Sequence, residues 1–484
     1  MELKIIASLI KQKNFSAAKV GLLELISKKI NLENDFKNIY FTLSQVCIQL
    51  NQLNESKKYL AKHLEINPKD CEALLYLATL QLKTRDIENT EKIYKKILSI
   101  DKNYLPAIVN LAIFYEGTGK IDRAIKYYEA ARELEPNNLN FYYNLIRINS
   151  DYLSDKRINF IKELVKKETL TEKDKYLANL ILSQNYEKKK DYKNEIKFLK
   201  LSQDDFLKYN ADKRSHEYWL DIIPYYYRRF TYKENNKNFI KKIKPIFIVG
   251  LPRSGSTITE MILSTSKTHK NVLGESSLFN FSFINLYNEK LFQKPKKSEI
   301  EIDIDLMTEK ILSNLKNYNI SNSEESIFID KSLENFFYID LIIKIFPNAK
   351  FVITERNIID NIIGIYKKVL LDIPWAHNIS EIIQFVDNYK IIINFYKKKY
   401  KKNIKIIKLD DLQNFNKIEV EDLFNFCGLE FNNKYFEFQK KNLYVENASN
   451  IQIRNEAFKF QSNKYKKYYH LLKGYEKKYS WIQI

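Results

Sequence analysis

The amino-acid sequence predicts a multidomain chain that combines an N-terminal α-solenoid with a C-terminal α/β domain built on a central parallel sheet. Three observations predict this: a 34-residue period in the first half, a glycine-bounded loop after a buried apolar run, and further short apolar runs downstream. We expect a repeat array over 1–207, a connector over 208–244 and the α/β domain over 245–484.

Composition excludes several classes of protein. The 484 residues are 45% hydrophobic, so the chain is globular and long enough for two or three domains. The net charge of +20 is spread along the chain, since the first 215 residues hold 38 basic and 29 acidic residues and the rest hold 42 and 31. This even spread favours background composition over a nucleic-acid-binding face, and we expect no nucleic-acid partner.

Membrane spans and metal sites are not expected either. No apolar run reaches the roughly 18 residues that cross a bilayer, and the N-terminus reads as an amphipathic helix rather than a signal peptide. Cys47, Cys71 and Cys427 are far apart, with no histidine at ligand spacing. These features predict a cytoplasmic chain without a disulfide framework or a bound metal.

The 34-residue period places residues of the same size at equal positions in successive units. Small residues at such positions let two antiparallel helices approach closely, while large ones fill the seam between them. The matching sets are Pro68, Lys102 and Pro136; Leu77, Leu111 and Leu145; Ala73 and Ala107; Ala78 and Ala112; Ile87 and Ile121; Tyr94 and Tyr128.

This pattern resembles the tetratricopeptide repeat, strongly over 34–168 and more weakly at both ends. The resemblance implies stacked helix pairs with a concave surface that binds a peptide or a protein partner. An array that only supports the following domain, or joins two copies as a homodimer, is an equal alternative. The repeats name no ligand.

A phosphate-binding loop is predicted where the organisation changes. Ile246–Val249 reads as a strand buried on both faces, Gly250–Gly255 as a turn and Thr257–Leu263 as a helix. This strand, loop and helix N-terminus form the P-loop type of anion site, in which backbone N–H groups and the helix dipole bind an anion. Arg253 lies inside the loop, where its guanidinium can pair with two anion oxygens.

The loop differs from that of nucleotide hydrolases. It keeps the spacing of GxxxxGK[ST], but Ser256 stands where the lysine should be. A kinase or nucleotide hydrolase is therefore the runner-up, and an ordinary strand–turn–helix is the plain alternative.

The segment GLPRSGST resembles the 5′-phosphosulfate loop of sulfotransferases that use 3′-phosphoadenosine 5′-phosphosulfate (PAPS). The resemblance covers about 245–470. Within the family, the chain resembles the tyrosylprotein-sulfotransferase-like branch. It implies that the loop binds PAPS and that Arg253 also stabilises the transferring group. The loop residues concerned are Arg253, Ser254, Gly255, Ser256 and Thr257.

The resemblance assigns two further catalytic residues. Glu275, 22 residues after Arg253, is implied to be the general base that takes the proton of the acceptor hydroxyl. Lys331, at the end of the predicted strand that begins at Ile327, is implied to stabilise the transferring sulfuryl group. The alternatives are a helix-capping Glu275 and a solvated Lys331.

The remaining elements of the resemblance concern the nucleotide. Arg356, after the predicted strand Phe351–Thr354, is implied to bind the 3′-phosphate, although Gly364 stands where the family has serine. Ser449 and Lys464 are implied to lie near the nucleotide and sulfate. Arg454 is implied to close the C-terminal segment over the site.

Together these elements predict sulfuryl transfer from PAPS to an acceptor hydroxyl, with adenosine 3′,5′-bisphosphate as product and no need for a metal. The glutamate base and the repeat array suggest a peptide tyrosine or another bulky hydroxyl as acceptor, while saccharides and small metabolites are equally open. His377 either lines the acceptor pocket or is a packed core residue. A repeat scaffold with a decayed transferase domain is the remaining alternative, supported by Gly364.

Overall fold

The computed structural model describes residues 3–27, 38–166, 170–210, 213–234, 240–293, 298–414, 416–440 and 464–483. The predicted site residue Ser449 and the predicted closing residue Arg454 lie outside this described part of the chain.

The N-terminal half consists of consecutive α-helices joined by short turns, as the repeat pattern predicted. Helices that occupy the same place in successive repeats begin at Leu53, Ile87 and Ile121, so the 34-residue period is confirmed. The helices are α1 (Leu3–Lys11), α2 (Phe15–Ser27), α3 (Ile39–Gln49), α4 (Leu53–Ile66), α5 (Cys71–Lys83), α6 (Ile87–Ile100), α7 (Leu105–Gly117), α8 (Ile121–Leu134), α9 (Leu139–Ile148), α10 (Asp155–Val165), α11 (Glu172–Lys188) and α12 (Tyr192–Tyr209).

The repeat residues occupy the seams between these helices. Ala73 and Ala107 are fully buried, as are their partners Ala78 and Ala112 in the second alanine position. Tyr94 is 2% exposed and packs edge-on against Phe114, while Tyr128 is buried at the equivalent position one repeat later. Alanine and tyrosine thus have the complementary small and large roles that the period predicted.

The chain divides into two compact units. The first takes Met1–Glu116, Lys120–Pro136 and Ser313–Ile320, and the second takes Gly117–Gly119, Asn137–Leu312 and Ser321–Ile484. Helices α9–α12 therefore belong to the same unit as the α/β part. The boundaries at 207 and 244 stay predictions.

Among the described residues, the α/β part contains seven strands and ten further α-helices. The strands are β1 (Phe230–Lys233), β2 (Ile243–Gly250), β3 (Asn271–Gly274), β4 (Ile300–Asp303), β5 (Ser326–Asp330), β6 (Lys350–Glu355) and β7 (Ile404–Lys408). The helices are α13 (Lys213–Glu217), α14 (Ile223–Tyr226), α15 (Ser256–Ser264), α16 (Leu278–Leu291), α17 (Ile304–Leu315), α18 (Ile339–Ile345), α19 (Ile358–Lys368), α20 (Ile379–Lys399), α21 (Leu409–Gln413) and α22 (Lys417–Cys427).

Five of these strands form the central sheet, in the order β3–β5–β2–β6–β7, and every neighbouring pair is parallel. The prediction of a parallel sheet is confirmed. Strand β2 lies in the middle, and its residues 246–249 are at most 1% exposed, which explains their unbroken apolar run. Strands β1 and β4 form a separate parallel pair.

One face of the central sheet packs against the helix that follows the loop. Ile246 and Ile248 of β2 share a buried cluster with Ile258 and Ile262 of α15. This packing fixes the start of α15 against the end of β2, where the predicted anion site lies. Within the described residues, no helix combines the length and the hydropathy that crossing a membrane requires.

Helix α19 is tied to α12 by a buried polar network. Lys367 contacts Glu195, which is 1% exposed, and its Nζ also lies 2.8 Å from Glu187 Oε1. The hydroxyl of Tyr468 donates to Glu195 at 2.7 Å and accepts from Lys367 at 2.7 Å. The network therefore holds α19, which carries part of the candidate site, against a helix of the repeat region within the same unit.

Candidate active site

Most of the predicted site residues follow the carboxyl ends of four neighbouring strands. Glu275 follows β3, Lys331 follows β5, the loop 250–255 follows β2 and Arg356 follows β6. Because the four strands are parallel, their carboxyl ends meet at one edge of the sheet, where ligands bind in open α/β folds. The fold therefore brings together residues that are up to about a hundred positions apart.

The loop between β2 and α15 has the backbone of an anion site. Three residues have positive φ angles: Gly250 at 148°, Arg253 at 68° and Gly255 at 108°. The positive φ angle favours glycine at Gly255, and a Cβ there would also lie 2.7 Å from Cδ1 of Leu409, whose side chain would have to shift. Gly255 immediately precedes α15, whose first N–H groups have no acceptor within the helix.

The hydroxyl residues of the loop occupy different positions. Ser254 is 1% exposed, and its Oγ donates to the carbonyl of Leu251 at 2.7 Å and lies 2.6 Å from Thr354 Oγ1. Its side chain therefore joins β2 to β6 from within the loop. Ser256 and Thr257 are in the first turn of α15 and are 7% and 5% exposed.

Two arginines lie together beside the loop. Arg356 Nη1 is 3.5 Å from the carbonyl oxygen of Arg253. Burial lowers the pKa of Arg253 from its usual value, and the charge of Arg356 lowers it further, while Tyr465 acts in the opposite direction. Two neighbouring cations with little access to water form a site that favours a multiply charged anion.

Arg356 is anchored by the helix that follows it. Its Nη2 lies 3.4 Å from Oδ2 of Asp360, which is fully buried. The backbone N–H of Tyr465 and the hydroxyl of Tyr469 donate to Oδ1 of Asp360 at 3.1 and 3.0 Å. In turn, Asn361 donates to the carbonyl of Pro252 at 2.6 Å, so α19 is bonded directly to the loop.

Lys331 and Glu275 are in direct contact, with Lys331 Nζ bonded to Glu275 Oε1. The lysine side chain is only 2% exposed, so the alternative of a solvated Lys331 is wrong. The glutamate side chain is 51% exposed and is accessible to an incoming molecule. Glu260 of α15 lies 3.9 Å from the same ammonium group.

Asp330 positions the two strand ends that carry this pair. It is fully buried, which raises its pKa, and it accepts hydrogen bonds from Ser276, from the N–H of Ser332 at 2.7 Å and from Asn335 at 3.1 Å. Ser276 is adjacent to Glu275, and Asp330 is adjacent to Lys331. The Asp330 carboxylate therefore links the residue next to Lys331 with the residue next to Glu275.

Two cavities open at this edge of the sheet. One, of about 220 Å³, is lined by Glu275 and by Gly250 and Pro252 of the loop. The other, of about 200 Å³, is lined by Arg356 and Lys390. A molecule in the first cavity would lie beside the half-exposed carboxylate of Glu275, and one in the second would lie beside Arg356.

His377 is a packed core residue. It is 2% exposed, its ring stacks on Phe206 with centroids 3.9 Å apart, and Nδ1 lies 2.6 Å from Gln203 Oε1. Burial lowers the pKa of His377 to about 4. Lys464 is exposed, with Nζ 5.7 Å from the centre of the Tyr465 ring, and its role at the nucleotide stays a prediction.

The structure adds residues that the sequence reasoning missed. Asp360 follows Arg356 by four positions at the start of α19, and this spacing of opposite charges was a usable signal. Asp330 was identified only as the end of a strand. Glu334, which lines the first cavity, and Tyr465, which packs beside Arg356, have no local pattern that distinguishes them.

Comparison with known proteins identifies the part of the chain that contains this geometry. Residues 245–433 match the family model described as the sulfotransferase family. This part of the chain is therefore similar to the sulfotransferase family. The matched residues include the loop 250–255, Glu275, Lys331 and Arg356. Residues 38–70 and 105–138 match the tetratricopeptide repeat model, so the repeat prediction is confirmed.

Curated relatives resemble the chain in part. A protein of Aquifex aeolicus described as uncharacterized is 24% identical over 332 residues, which cover 65% of this chain and 43% of that protein. A TPR repeat-containing protein of Methanocaldococcus jannaschii is 32% identical over 99 residues, which cover 19% of this chain and 31% of that protein. The chain thus spans less than half the length of either relative.

Solved structures resemble the chain distantly. A crystal structure of MamA matches at a TM-score of 0.28 and 14% identity, covering 42% of this chain and 96% of that one. A sulfotransferase from Mycobacterium tuberculosis matches at a TM-score of 0.28 and 12% identity, covering 62% of this chain and 97% of that one.

Proposed function

We propose that this protein transfers the sulfuryl group of PAPS to an acceptor hydroxyl. The observation that carries the proposal is the contact between Glu275 and Lys331 at the ends of adjacent strands, beside the loop 250–255. A half-exposed carboxylate and a buried ammonium group at one point supply a proton acceptor and a cation for developing negative charge.

The residues at the sheet edge fit a donor with two anionic ends. The start of α15 and Arg253 suit the phosphosulfate, and Arg356 suits the 3′-phosphate. Ser256 and Thr257 add hydroxyl groups at the helix start, and Ser254, bonded within the loop, contributes its backbone N–H. The bound donor supplies a sulfur atom whose bond to phosphate oxygen breaks readily.

Each step then falls to a named group of this chain. Glu275 takes the proton of the acceptor hydroxyl while the acceptor oxygen forms a bond to sulfur and the bond from sulfur to the phosphate oxygen breaks. Lys331 and Arg253 stabilise the negative charge on the transferring group and on the leaving oxygen. The products are a sulfate ester and adenosine 3′,5′-bisphosphate, with the proton on Glu275.

The alternative function is that of a kinase or nucleotide hydrolase, which would have the same fold but bind ATP instead of PAPS. Ser256 at the first position of α15 leaves the loop without the lysine that contacts the terminal phosphate of ATP in P-loop enzymes. Calorimetry with adenosine 3′,5′-bisphosphate and with ATP separates the two proposals. Preferential binding of ATP would reject PAPS as donor, and absence of binding by either nucleotide would favour a scaffold with a decayed site.

The direct test replaces Glu275 with Gln and measures transfer of labelled sulfate from PAPS to peptide, glycan and phenolic acceptors. We expect turnover to fall by about 10²–10⁴-fold while adenosine 3′,5′-bisphosphate still binds. Glu325→Gln is a matched control, because Glu325 pairs with Lys244 just before β5, at the opposite end of that strand. Unchanged turnover in Glu275→Gln would remove Glu275 from the role of base.

The proposal also includes a cellular compartment and a role for the repeat array. Cys47, Cys71 and Cys427 are free thiols, which supports work in a reducing compartment such as the cytoplasm. We propose that the repeat array binds a peptide or protein partner, and that a tyrosine of such a partner is one candidate acceptor, as in the tyrosylprotein branch. Copurification of sulfated protein with the full chain tests this role.

A further inference from the structure

The cavity beside Glu275 has aromatic walls. Trp375 stacks on Phe385 with ring centroids 3.7 Å apart and planes 11° apart, and Phe336 meets Phe385 edge-on at 5.9 Å. All three rings line the cavity together with the half-buried Trp219. Walls of this kind favour a flat apolar body and can also bind a cation over their faces.

The charged groups that line the same cavity are all acidic. They are Glu275, Glu334 and Asp372, and none of the described lining residues is a lysine or an arginine. Glu275 is paired with Lys331, whereas Glu334 and Asp372 form no ion pair with any described basic side chain. The cavity therefore has two acidic groups, Glu334 and Asp372, that no described basic side chain pairs with.

Glu334 is the inner of these two carboxyl groups. Its Oε1 accepts a hydrogen bond from Ser277 Oγ at 2.7 Å. Burial, together with the nearby carboxylates of Asp330 and Glu275, raises the pKa of Glu334 to about 7. A cation beside Glu334 would offset this cost of ionisation, and an anion there would add to it. Asp372 is exposed and adds negative charge at the same cavity.

We propose that the acceptor is a hydroxyl compound with an aromatic body and a protonated amine, bound with its amine near Glu334 and Asp372 and its hydroxyl near Glu275. This inference rests on the proposed sulfuryl transfer and names the acceptor class for that site. It excludes polyanionic saccharides, whose charges would be placed against unneutralised carboxylates. The amine belongs either to a small phenolic amine or to a lysine or N-terminus next to a tyrosine in a peptide.

A series of phenols that differ only in charge tests the proposal. Transfer from PAPS is measured with tyramine, 4-propylphenol and 3-(4-hydroxyphenyl)propanoate as acceptors, at pH 7.5. We expect kcat/KM for tyramine to exceed that of the neutral phenol by about 10-fold, as a charge-assisted hydrogen bond between the amine and a carboxylate predicts, and the anion to be the poorest acceptor.

Two variants test which carboxyl group of the cavity is responsible for the preference for tyramine. Glu334→Gln should reduce the tyramine preference to within about threefold, since the amide keeps the hydrogen bond with Ser277 and loses the charge. Asp372→Asn should reduce it less, because Asp372 is exposed. Glu325→Gln, distant from the cavity, should leave the preference unchanged. An unchanged preference in both cavity variants would overturn the proposal.

A binding measurement separates this proposal from the proposed function. Ligand-observed NMR with adenosine 3′,5′-bisphosphate present reports whether each phenol binds, independently of turnover. Binding that favours tyramine without any transfer would reject sulfuryl transfer and support the cation site. Transfer that favours the anionic phenol would support sulfuryl transfer and overturn the cation site. A lysine–tyrosine peptide that outcompetes tyramine would support the proposal with a peptide as the source of the amine.

Discussion

Tyr465 occupies the space beside Gly364, because a Cβ on residue 364 would lie only 3.2 Å from Cε2 of the tyrosine ring. The same ring lies 5.5 Å from the guanidinium of Arg356. The glycine that stands where sulfotransferases have serine is therefore matched by a buried tyrosine 101 positions later in the chain. Gly364 thus makes room for the ring of Tyr465, and its presence gives little support to the alternative of a decayed site.

Replacement of Gly364 with Ser tests this packing. The added atoms contact the Tyr465 ring, so we expect a loss of about 1–2 kcal/mol in the free energy of unfolding. In a Tyr465→Ala background the same substitution should cost less than about 0.5 kcal/mol. Urea unfolding of the four proteins in this cycle measures the coupling, and additive costs would show that the two residues are independent.

Glu334 should give stability a pH dependence. In the unfolded chain its carboxyl ionises above its ordinary pKa of 4.5, whereas the folded protein retains the proton until about pH 7. Unfolding thus releases a proton between these values, and stability falls as the pH rises through this window. We expect Glu334→Gln to remove a decline of about 2–3 kcal/mol between pH 4.5 and 7. Chemical unfolding at several pH values measures it, with Glu325→Gln as the reference slope.

Lys331 should be required for transfer. Its buried ammonium group is the cation closest to the candidate base, so Lys331→Met should lower kcat by about 10²–10³-fold. The nucleotide should still bind through Arg253 and Arg356. Single-turnover transfer and calorimetry with adenosine 3′,5′-bisphosphate measure the two effects, and a variant that loses only nucleotide affinity would place Lys331 in binding alone.

Glu195 should matter for stability more than Glu187, although both contact Lys367. Glu195 is 1% exposed, so Glu195→Gln leaves a buried ammonium poorly compensated, with an expected loss of about 2–4 kcal/mol. Glu187 has a 47% exposed side chain, and Glu187→Gln should cost less than about 1 kcal/mol. Thermal and urea unfolding compare the two, and equal costs would contradict the role of burial.

Thiol labelling should separate the three cysteines. Burial raises the pKa of Cys47 to about 11 and that of Cys427 to about 12, so both remain protonated and unreactive at pH 8. Cys71 is half-buried and should be alkylated first. Mass spectrometry of iodoacetamide-treated native protein measures the order, and early modification of Cys427 would contradict the packing of α22.

Local patterns were sufficient for much of the fold. The 34-residue period located the repeat helices, since each pair must bury the same face in turn. The unbroken apolar residues of β2 and β6 located central strands because both faces of the sheet are covered. The parallel arrangement then explained why Arg253, Lys331 and Arg356 converge.

Other features depend on contacts between distant parts of the chain. Nothing near Glu334 in sequence shows that it lines a cavity with Trp375, and nothing near Gly364 shows the ring of Tyr465. His377 was ambiguous for the same reason, because its burial comes from Phe206, far away in a repeat helix. Side-chain packing between segments is set by the assembled fold, which periodicity cannot report.

The order β3–β5–β2–β6 has a consequence for how activity arises during folding. Every strand that carries a site residue pairs with a neighbour from a distant part of the sequence, and the crossovers must close before any pair can form. No isolated stretch of the chain holds both Glu275 and Lys331 in contact without β5 paired to β3. The candidate site is thus assembled only in the completed sheet, and nascent or partly folded chains lack it.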